Sequence, residues 1–237
     1  MISVLSYNIS WESMSGKKQD WALCNTHTNE NHPKHNSICV SNIANVINNN
    51  ISDFIALQEA SDYKKLVMEC PELGKMKCKK HKSGLDVVIT FWNNDYKLVS
   101  NINGEFEKGR PWQALLFMDG LCFINVHFGH YNKTIIKRKL DNLVNEIIKE
   151  SANNAFHIKR IIIAGDFNYD VKMLEHIKIN DFVFHYNEKH LLTCCINRNN
   201  HYDHILDTYK IPYSIKIPKA AYMASDHKPI VGKLHLI

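Results

Sequence analysis

Short apolar runs punctuate this chain, and several end in a compact polar word. Ile2 to Leu5 runs into Ser6-Tyr7-Asn8, Phe54 to Leu57 into Gln58-Glu59, and Ile161 to Ala164 into Gly165-Asp166-Phe167-Asn168. A fourth word, Ser225-Asp226-His227, stands just ahead of the apolar stretch Pro229 to Leu236. Runs of this length bounded by polar signals read as buried strands. Asp86 to Trp92, Ala114 to Met118, Leu121 to His127, His204 to Leu206 and Ser214 to Ile217 read the same way. Two stretches have helical spacing instead. Residues 37 to 49 carry Ile38, Ile43, Val46 and Ile47, and residues 133 to 150 carry Ile136, Leu140, Leu143, Val144, Ile147 and Ile148, with Lys and Glu on the opposite face.

The Asp119-Gly120 turn between two strand-like runs argues for antiparallel pairing. Helices between other strands argue for a layered α/β domain. The predicted architecture is α/β of the α+β type: two mixed β-sheets packed face to face and flanked by helices, a four-layer sandwich. Internal repeats and Pro/Gly/Ser linkers are not seen, so residues 1–237 are expected to form one domain. Ser10 to Ser37, rich in His and Asn, and the Lys-dense Lys75 to Lys82 are expected to be surface loops.

Composition narrows this only slightly. Apolar residues make up 45% and charged residues 22%, as in ordinary soluble proteins. A formal charge of +5 permits a polyanionic partner without demanding one. Every apolar run is too short to span a bilayer, and the N-terminus lacks the pattern of a secretory signal. An intracellular protein, cytoplasmic or nuclear, with no membrane partner is expected. Seven Cys at irregular spacing, without a CxxC pair, then read as free thiols. Cys24, His27, His32, His35 and Cys39 are spaced too loosely to argue for zinc.

The strand-end words carry the chemistry. Strands of one sheet bring residues distant in sequence to one rim, where loops do the work. Magnesium prefers oxygen ligands and is held by one or two carboxylates plus substrate phosphate. Glu59 closes a buried strand, where an unpartnered carboxylate is costly, so it is the primary candidate ligand. Asn8 is placed to orient Glu59 or to bind the ion through its carbonyl. Asp166 and Asn168 are two apart and point the same way in an extended segment. One suits a water, the other a phosphoryl oxygen. Asp226 and His227 are adjacent, so only a turn can present both. Taken singly, each word has an ordinary reading, because Asp and Asn are common turn formers. Their joint occurrence, each beside a strand, is what points to a phosphate ester and a hard dication.

In themselves and in their order, Tyr7-Asn8, Gln58-Glu59, Gly165-Asp166-Phe167-Asn168 and Ser225-Asp226-His227 resemble the motifs of the endonuclease/exonuclease/phosphatase superfamily, the DNase I-like fold. The resemblance spans Ser6 to Pro229. It implies a metal site at Asn8, Glu59 and Asp226, with Mg²⁺ as the cofactor and Mn²⁺ as a substitute. It also implies that Asp166 prepares the attacking water, while Asn168 and His227 hold the phosphate. Tyr202-Asp203-His204 resembles the segment whose Asp pairs with the final His, which assigns Asp203 to His227. Asn125-Val126-His127 resembles the place of a second His in nuclease members, making His127 the candidate acid for the leaving oxygen. Gly109-Arg110-Pro111 matches the place of an Arg that grips phosphate. Asp86 is the positional candidate for the partner of His127, although the local words match poorly.

The function implied is a monomeric, Mg²⁺-dependent phosphodiesterase with a nucleic acid substrate, DNA or RNA: a nuclease or an end-processing enzyme. Sphingomyelinase-like and inositol-phosphatase-like hydrolases share the superfamily and are the first alternative. A non-catalytic binding module on the same fold is the second.

Overall fold

The computed structural model of the protein describes residues 1–10, 35–186, 191–194, 200–218 and 225–236. In chain order its elements are β1 (Ile2–Asn8), α1 (His35–Asn48), β2 (Phe54–Gln58), α2 (Tyr63–Glu69), α3 (Pro71–Lys75), β3 (Lys77–Ser83), β4 (Asp86–Trp92), β5 (Leu98–Glu107), β6 (Arg110–Phe117) and β7 (Leu121–His127). Then come α4 (Lys133–Asn153), β8 (Arg160–Asp166), a 3-10 turn (Val171–Leu174), β9 (Ile177–Ile179), β10 (Phe182–Phe184), β11 (Asp203–Asp207), β12 (Ser214–Lys216) and β13 (Ile230–Leu234).

Two large sheets result. One has six strands in the order β12-β13-β1-β2-β4-β3, the other five in the order β11-β8-β7-β6-β5. Both are mixed: β1 and β2 are parallel, as are β7 and β8, while the remaining pairings within them are antiparallel. Because side chains alternate across a strand, each sheet presents two faces.

Three apolar clusters show what those faces bury. Val4, Phe54, Ala56, Leu115, Phe123, Ile162 and Ala164 meet in the space between the sheets. Leu5, Tyr7, Ile55 and Leu57 turn the other way and pack on Val40, Ile43 and Ile47 of α1. Cys122, Ile124, Ile161 and Ile163 turn away from the second sheet onto Ile136, Leu140, Leu143, Val144 and Ile147 of α4. The layers are therefore helix, sheet, sheet, helix, as the alternation along the chain predicts. Each of the clusters lies between adjacent layers, so truncating a fully buried member such as Leu140 to Ala should cost about 2–5 kcal/mol.

Two expectations need correction. Lys77–Ser83 is a strand, β3, rather than part of a loop. It pairs with β4 on one side only and is largely exposed, so its lysines lie on an open sheet edge. Charged edge strands of this kind deter unwanted strand pairing, and they lack the apolar alternation that marks a half-buried strand. The all-thiol reading also fails in part: Cys70, Cys78 and Cys122 are free, but Cys39 and Cys194 are disulfide-bonded. The expected loop Ser10 to Ser37 lies mostly outside the described residues, and α1 begins within its last residues. Among the described residues, no helix is long and apolar enough to cross a membrane.

Candidate active site

The face between the sheets is apolar at one end and polar at the other. Along β1 it reads Val4, Ser6, Asn8, and along β2 Phe54, Ala56, Gln58. Along β7 it reads Phe123, Asn125, His127, and along β8 Ile162, Ala164, Asp166. Register aligns the polar ends: Asn8 lies beside Gln58, His127 beside Asp166, and Asp166 beside Asp203 of β11. Gly165 lets β7 and β8 approach there, since a Cβ at that position would come within 2.0 Å of the Val126 carbonyl oxygen.

Three of the strand-end words are turned by one device, a side-chain oxygen that accepts the amide proton two residues on. Asn8 Oδ1 accepts from Ser10 N at 3.1 Å, and Asp166 Oδ1 accepts from Asn168 N at 2.8 Å. Ser225 Oγ accepts from His227 N at 3.1 Å and donates to the Asn8 carbonyl at 2.8 Å, tying the last word to the first. Ser10, Glu59 and Asn168 all have positive φ (60°, 57° and 47°), a left-handed conformation rare for residues with side chains. Backbone strain is therefore gathered at this rim, where it re-aims side chains as strands end. The Glu59 amide is held by Asp86 Oδ1 at 3.1 Å.

Asp166 is the hub. It is buried, and its Oδ2 accepts from Asn8 Nδ2 at 3.0 Å. The same Nδ2 donates to Glu59 Oε1 at 3.2 Å, so one amide holds both carboxylates. Asn8 Oδ1 is engaged by Ser10, which leaves the nitrogen of that amide facing the site. Two imidazoles flank the hub. His127 Nε2 is 3.5 Å from Asp166 Oδ2, and His227 Nε2 is 3.6 Å from it. Each imidazole is anchored through Nδ1, His127 to Asp86 at 2.6 Å and His227 to Asp203 at 2.9 Å. Arg110 Nη1 donates to His127 Nε2 at 2.6 Å. Asn168 Nδ2 donates to the Phe128 carbonyl at 2.9 Å and stays within 3.3 Å of Asp166 Oδ2. Asp226 is half-buried, and its charge acts on His227.

This packing sets the charges. Burial alone would raise the Asp166 pKa, but His227, His127, the Asn168 amide and Asn8 hold it below the usual carboxylate range. Burial opposes a charge on His227, yet Asp203, Asp166 and Asp226 raise its pKa well above the ordinary imidazole value. Burial likewise lowers the His127 pKa, and Asp86, Asp166 and Glu59 raise it on balance.

Some members of the site carry weaker sequence signals. Gln58 Nε2 donates to Asn125 Oδ1 at 2.7 Å across the two sheets, and Asn125 Nδ2 reaches the Ile89 carbonyl at 3.0 Å. This buried link fixes Glu59 on one sheet against His127 on the other. Its sequence signal was polarity at an inner-face position of a buried strand. Beside it opens a cleft of about 470 Å³ lined by Glu59, Leu85, Asp86, Lys108, Arg110 and His127. The turns after β3 and β5 form its walls, and Leu85 is 69% exposed there.

No family model matches the chain. A curated relative, the uncharacterized protein L684 of Acanthamoeba polyphaga mimivirus, is 29% identical over 262 residues, covering 99% of this chain and 50% of the relative. The chain thus spans about half the length of the curated relative it matches. Among solved structures, ANGEL2, a 2',3'-cyclic phosphatase, aligns with a TM-score of 0.70 at 16% identity, covering 98% of this chain and 94% of that one. An endonuclease/exonuclease/phosphatase from Bacteroides vulgatus aligns at 0.67 and 16% identity, covering 100% and 99%. TDP2 from C. elegans aligns at 0.66 and 14% identity, covering 98% and 74%. Two mixed sheets packed face to face, in alignments that cover 98–100% of the chain, give it the fold of the endonuclease/exonuclease/phosphatase superfamily, the DNase I-like fold.

Proposed function

We propose that the protein is a divalent-metal-dependent phosphodiesterase acting on nucleic acid, as a nuclease or an enzyme that processes DNA or RNA ends. One observation carries this reading: two imidazole–carboxylate pairs, Glu59 and Asn8 all converge on one buried carboxylate, Asp166. Groups with perturbed pKa values gathered at one rim are what proton transfer at a phosphate needs.

Each side chain has a task in this reading. Asp166, kept ionised, accepts a hydrogen bond or proton from the attacking water. His227, kept cationic, binds a phosphoryl oxygen, and Asp203 holds the ring through Nδ1. Asn168 donates to a second oxygen. Arg110 grips the phosphate with two parallel N–H groups, and His127 delivers a proton to the leaving oxygen. Glu59 and Asp226 offer the hard oxygen donors that suit Mg²⁺ or Mn²⁺, with Asn8 orienting Glu59. When bound, such an ion supplies charge neutralisation at the phosphate.

Nucleic acid is favoured by the surroundings. Lys77, Lys79, Lys80 and Lys82 line the exposed edge β3, whose turn into β4 walls the cleft, and Lys108 faces it. Lysines along a groove track phosphates. ANGEL2, which shares the fold, has been solved with adenosine-2',3'-vanadate, a nucleotide-like ligand.

The test is a panel of labelled single- and double-stranded DNA and RNA, abasic DNA and blocked ends, with sphingomyelin and inositol phosphates as rivals. It is run with Mg²⁺, Mn²⁺ and EDTA. At least one nucleic acid should be cleaved in a salt-sensitive way, and both EDTA and Asp166→Asn should abolish that cleavage. Turnover of a lipid or an inositol phosphate alone would overturn the assignment.

A further inference from the structure

We propose that Asp170, His201 and His204 form a zinc site, separate from the catalytic carboxylates, that pins the segment following Asn168 to β11. One ring nitrogen from each imidazole and one Asp170 oxygen lie within 4.8 Å of one another. Along one edge the spacing is shorter, with His201 Nδ1 3.5 Å from Asp170 Oδ1. Donors on one tetrahedral zinc lie about 3.3 Å apart, given bonds of about 2.0 Å. No edge of the cluster has to close by more than about 1.5 Å to surround an ion. Both imidazoles are 5% exposed, with ring centroids 4.4 Å apart.

The groups around the cluster are those that prepare ligands. His204 Nε2 faces the His201 carbonyl at 2.9 Å and the Tyr169 carbonyl at 3.1 Å. Two acceptors this close outweigh the longer 3.4 Å approach of the Val171 amide, so Nε2 carries the proton and the other nitrogen keeps a lone pair. Metal-bound histidines typically donate their second N–H to a backbone carbonyl in this way. Asp170 is positioned by its own turn, its Oδ1 accepting from Lys172 N at 3.1 Å as it caps Val171–Leu174. Two imidazoles and one carboxylate suit zinc better than magnesium. Three protein ligands leave a fourth position for water.

The three residues come from two segments, one after β8 and one leading into β11. Asp170 lies two residues past Asn168, and His204 directly follows Asp203. An ion here would fix the segment after Asn168 against the strand that anchors His227.

The full chain is dialysed to equilibrium against Zn²⁺ in Mg²⁺ buffer, and bound zinc is counted for the wild type, Glu59→Ala, Asp170→Asn, and Asp170→Asn/His201→Ala. Folding is checked by circular dichroism, and Tm is read with and without Zn²⁺. The wild type and Glu59→Ala should each hold one more zinc than the double variant. Zinc should raise their Tm equally and leave that of the double variant unchanged. If the double variant does not fold, Asp170→Asn, altered at a partly exposed position, decides through a weakened zinc affinity. Equal zinc binding and equal Tm response in wild type and folded variants would overturn the site.

Discussion

His127 and His227 stand on either side of Asp166 and differ mainly in one neighbour. Both are buried, both give Nδ1 to an aspartate, and both turn Nε2 toward the same carboxylate oxygen. His227 Nε2 has the Cys194 sulfur at 3.4 Å, which places no positive charge against it. His127 Nε2 has the Arg110 guanidinium at 2.6 Å. A guanidinium only donates, so the nitrogen it touches must accept and cannot carry a proton. Matched anchors can therefore hold different charges: His227 is set to be a standing cation, whereas His127, whose surroundings raise its pKa on balance, is kept bare at Nε2 as long as Arg110 stays in place.

The largest effect should come from the group that both imidazoles share. Asp166→Asn removes the charge facing both rings and should lower kcat by about 10³-fold or more, measured on the best substrate of the panel. The pair itself is split next. His227→Gln should cost about 10²–10³-fold on every substrate, because it removes charge stabilisation at the phosphate. His127→Gln should cost about 10²-fold on a natural ester. It should cost far less on a p-nitrophenyl ester, whose leaving group needs no proton. Equal losses for both variants on both substrates would erase the distinction between the two sides.

The anchors predict the pH profile. Burial pushes Asp203 up to about 6, against the lowering effect of His227. Above that pH the pair is carboxylate and imidazolium. As pH falls through about 6, Asp203 takes a proton and its grip on His227 weakens, so kcat/KM should fall on the acid side. Asp203→Asn should remove this acid limb and bring the alkaline limb to lower pH, since His227 loses the partner that raises its pKa. An unchanged profile would mean that Asp203 does not govern His227.

How much of this was legible in the sequence depended on whether neighbours were near in the chain. The strands ending at Asn8, Gln58 and Asp166 were readable because their apolar runs are short and their polar ends abrupt. The four-layer order followed from alternation on strands and the stripe on α4. By contrast, β3 is polar on both faces, so its strand character comes only from pairing with β4. The long β5 is mixed in burial throughout and offers no clean run. Asp86 is marked in the sequence by position alone, and its bonds to His127 and to the Glu59 amide span 41 and 27 residues. The Gln58–Asn125 link, 67 residues apart, depends on sheet packing, which no local pattern encodes, and the contact of Arg110 with His127 depends on the register of β6 against β7.

That contact makes the smallest prediction and the sharpest. Asp86, Asp166 and Glu59 favour a proton on His127 strongly enough to outweigh burial, and the guanidinium at Nε2 opposes it. A phosphate entering the cleft would compete for Arg110, since two anionic oxygens satisfy its fork better than one neutral nitrogen. Once Arg110 swings to the substrate, Nε2 is left facing Asp166 and Glu59, with Asp86 still on Nδ1, and gains the proton it needs to act as an acid. Arg110→Ala should therefore raise the His127 pKa in the free protein by about one unit, roughly 1.4 kcal/mol, read by NMR titration of the ring. His227, which Arg110 does not touch, should titrate as before. The same variant should raise KM while leaving the acid step intact at saturating substrate. If the His127 pKa stays fixed when Arg110 is removed, the guanidinium is not what separates the two imidazoles, and their difference must come from the substrate alone.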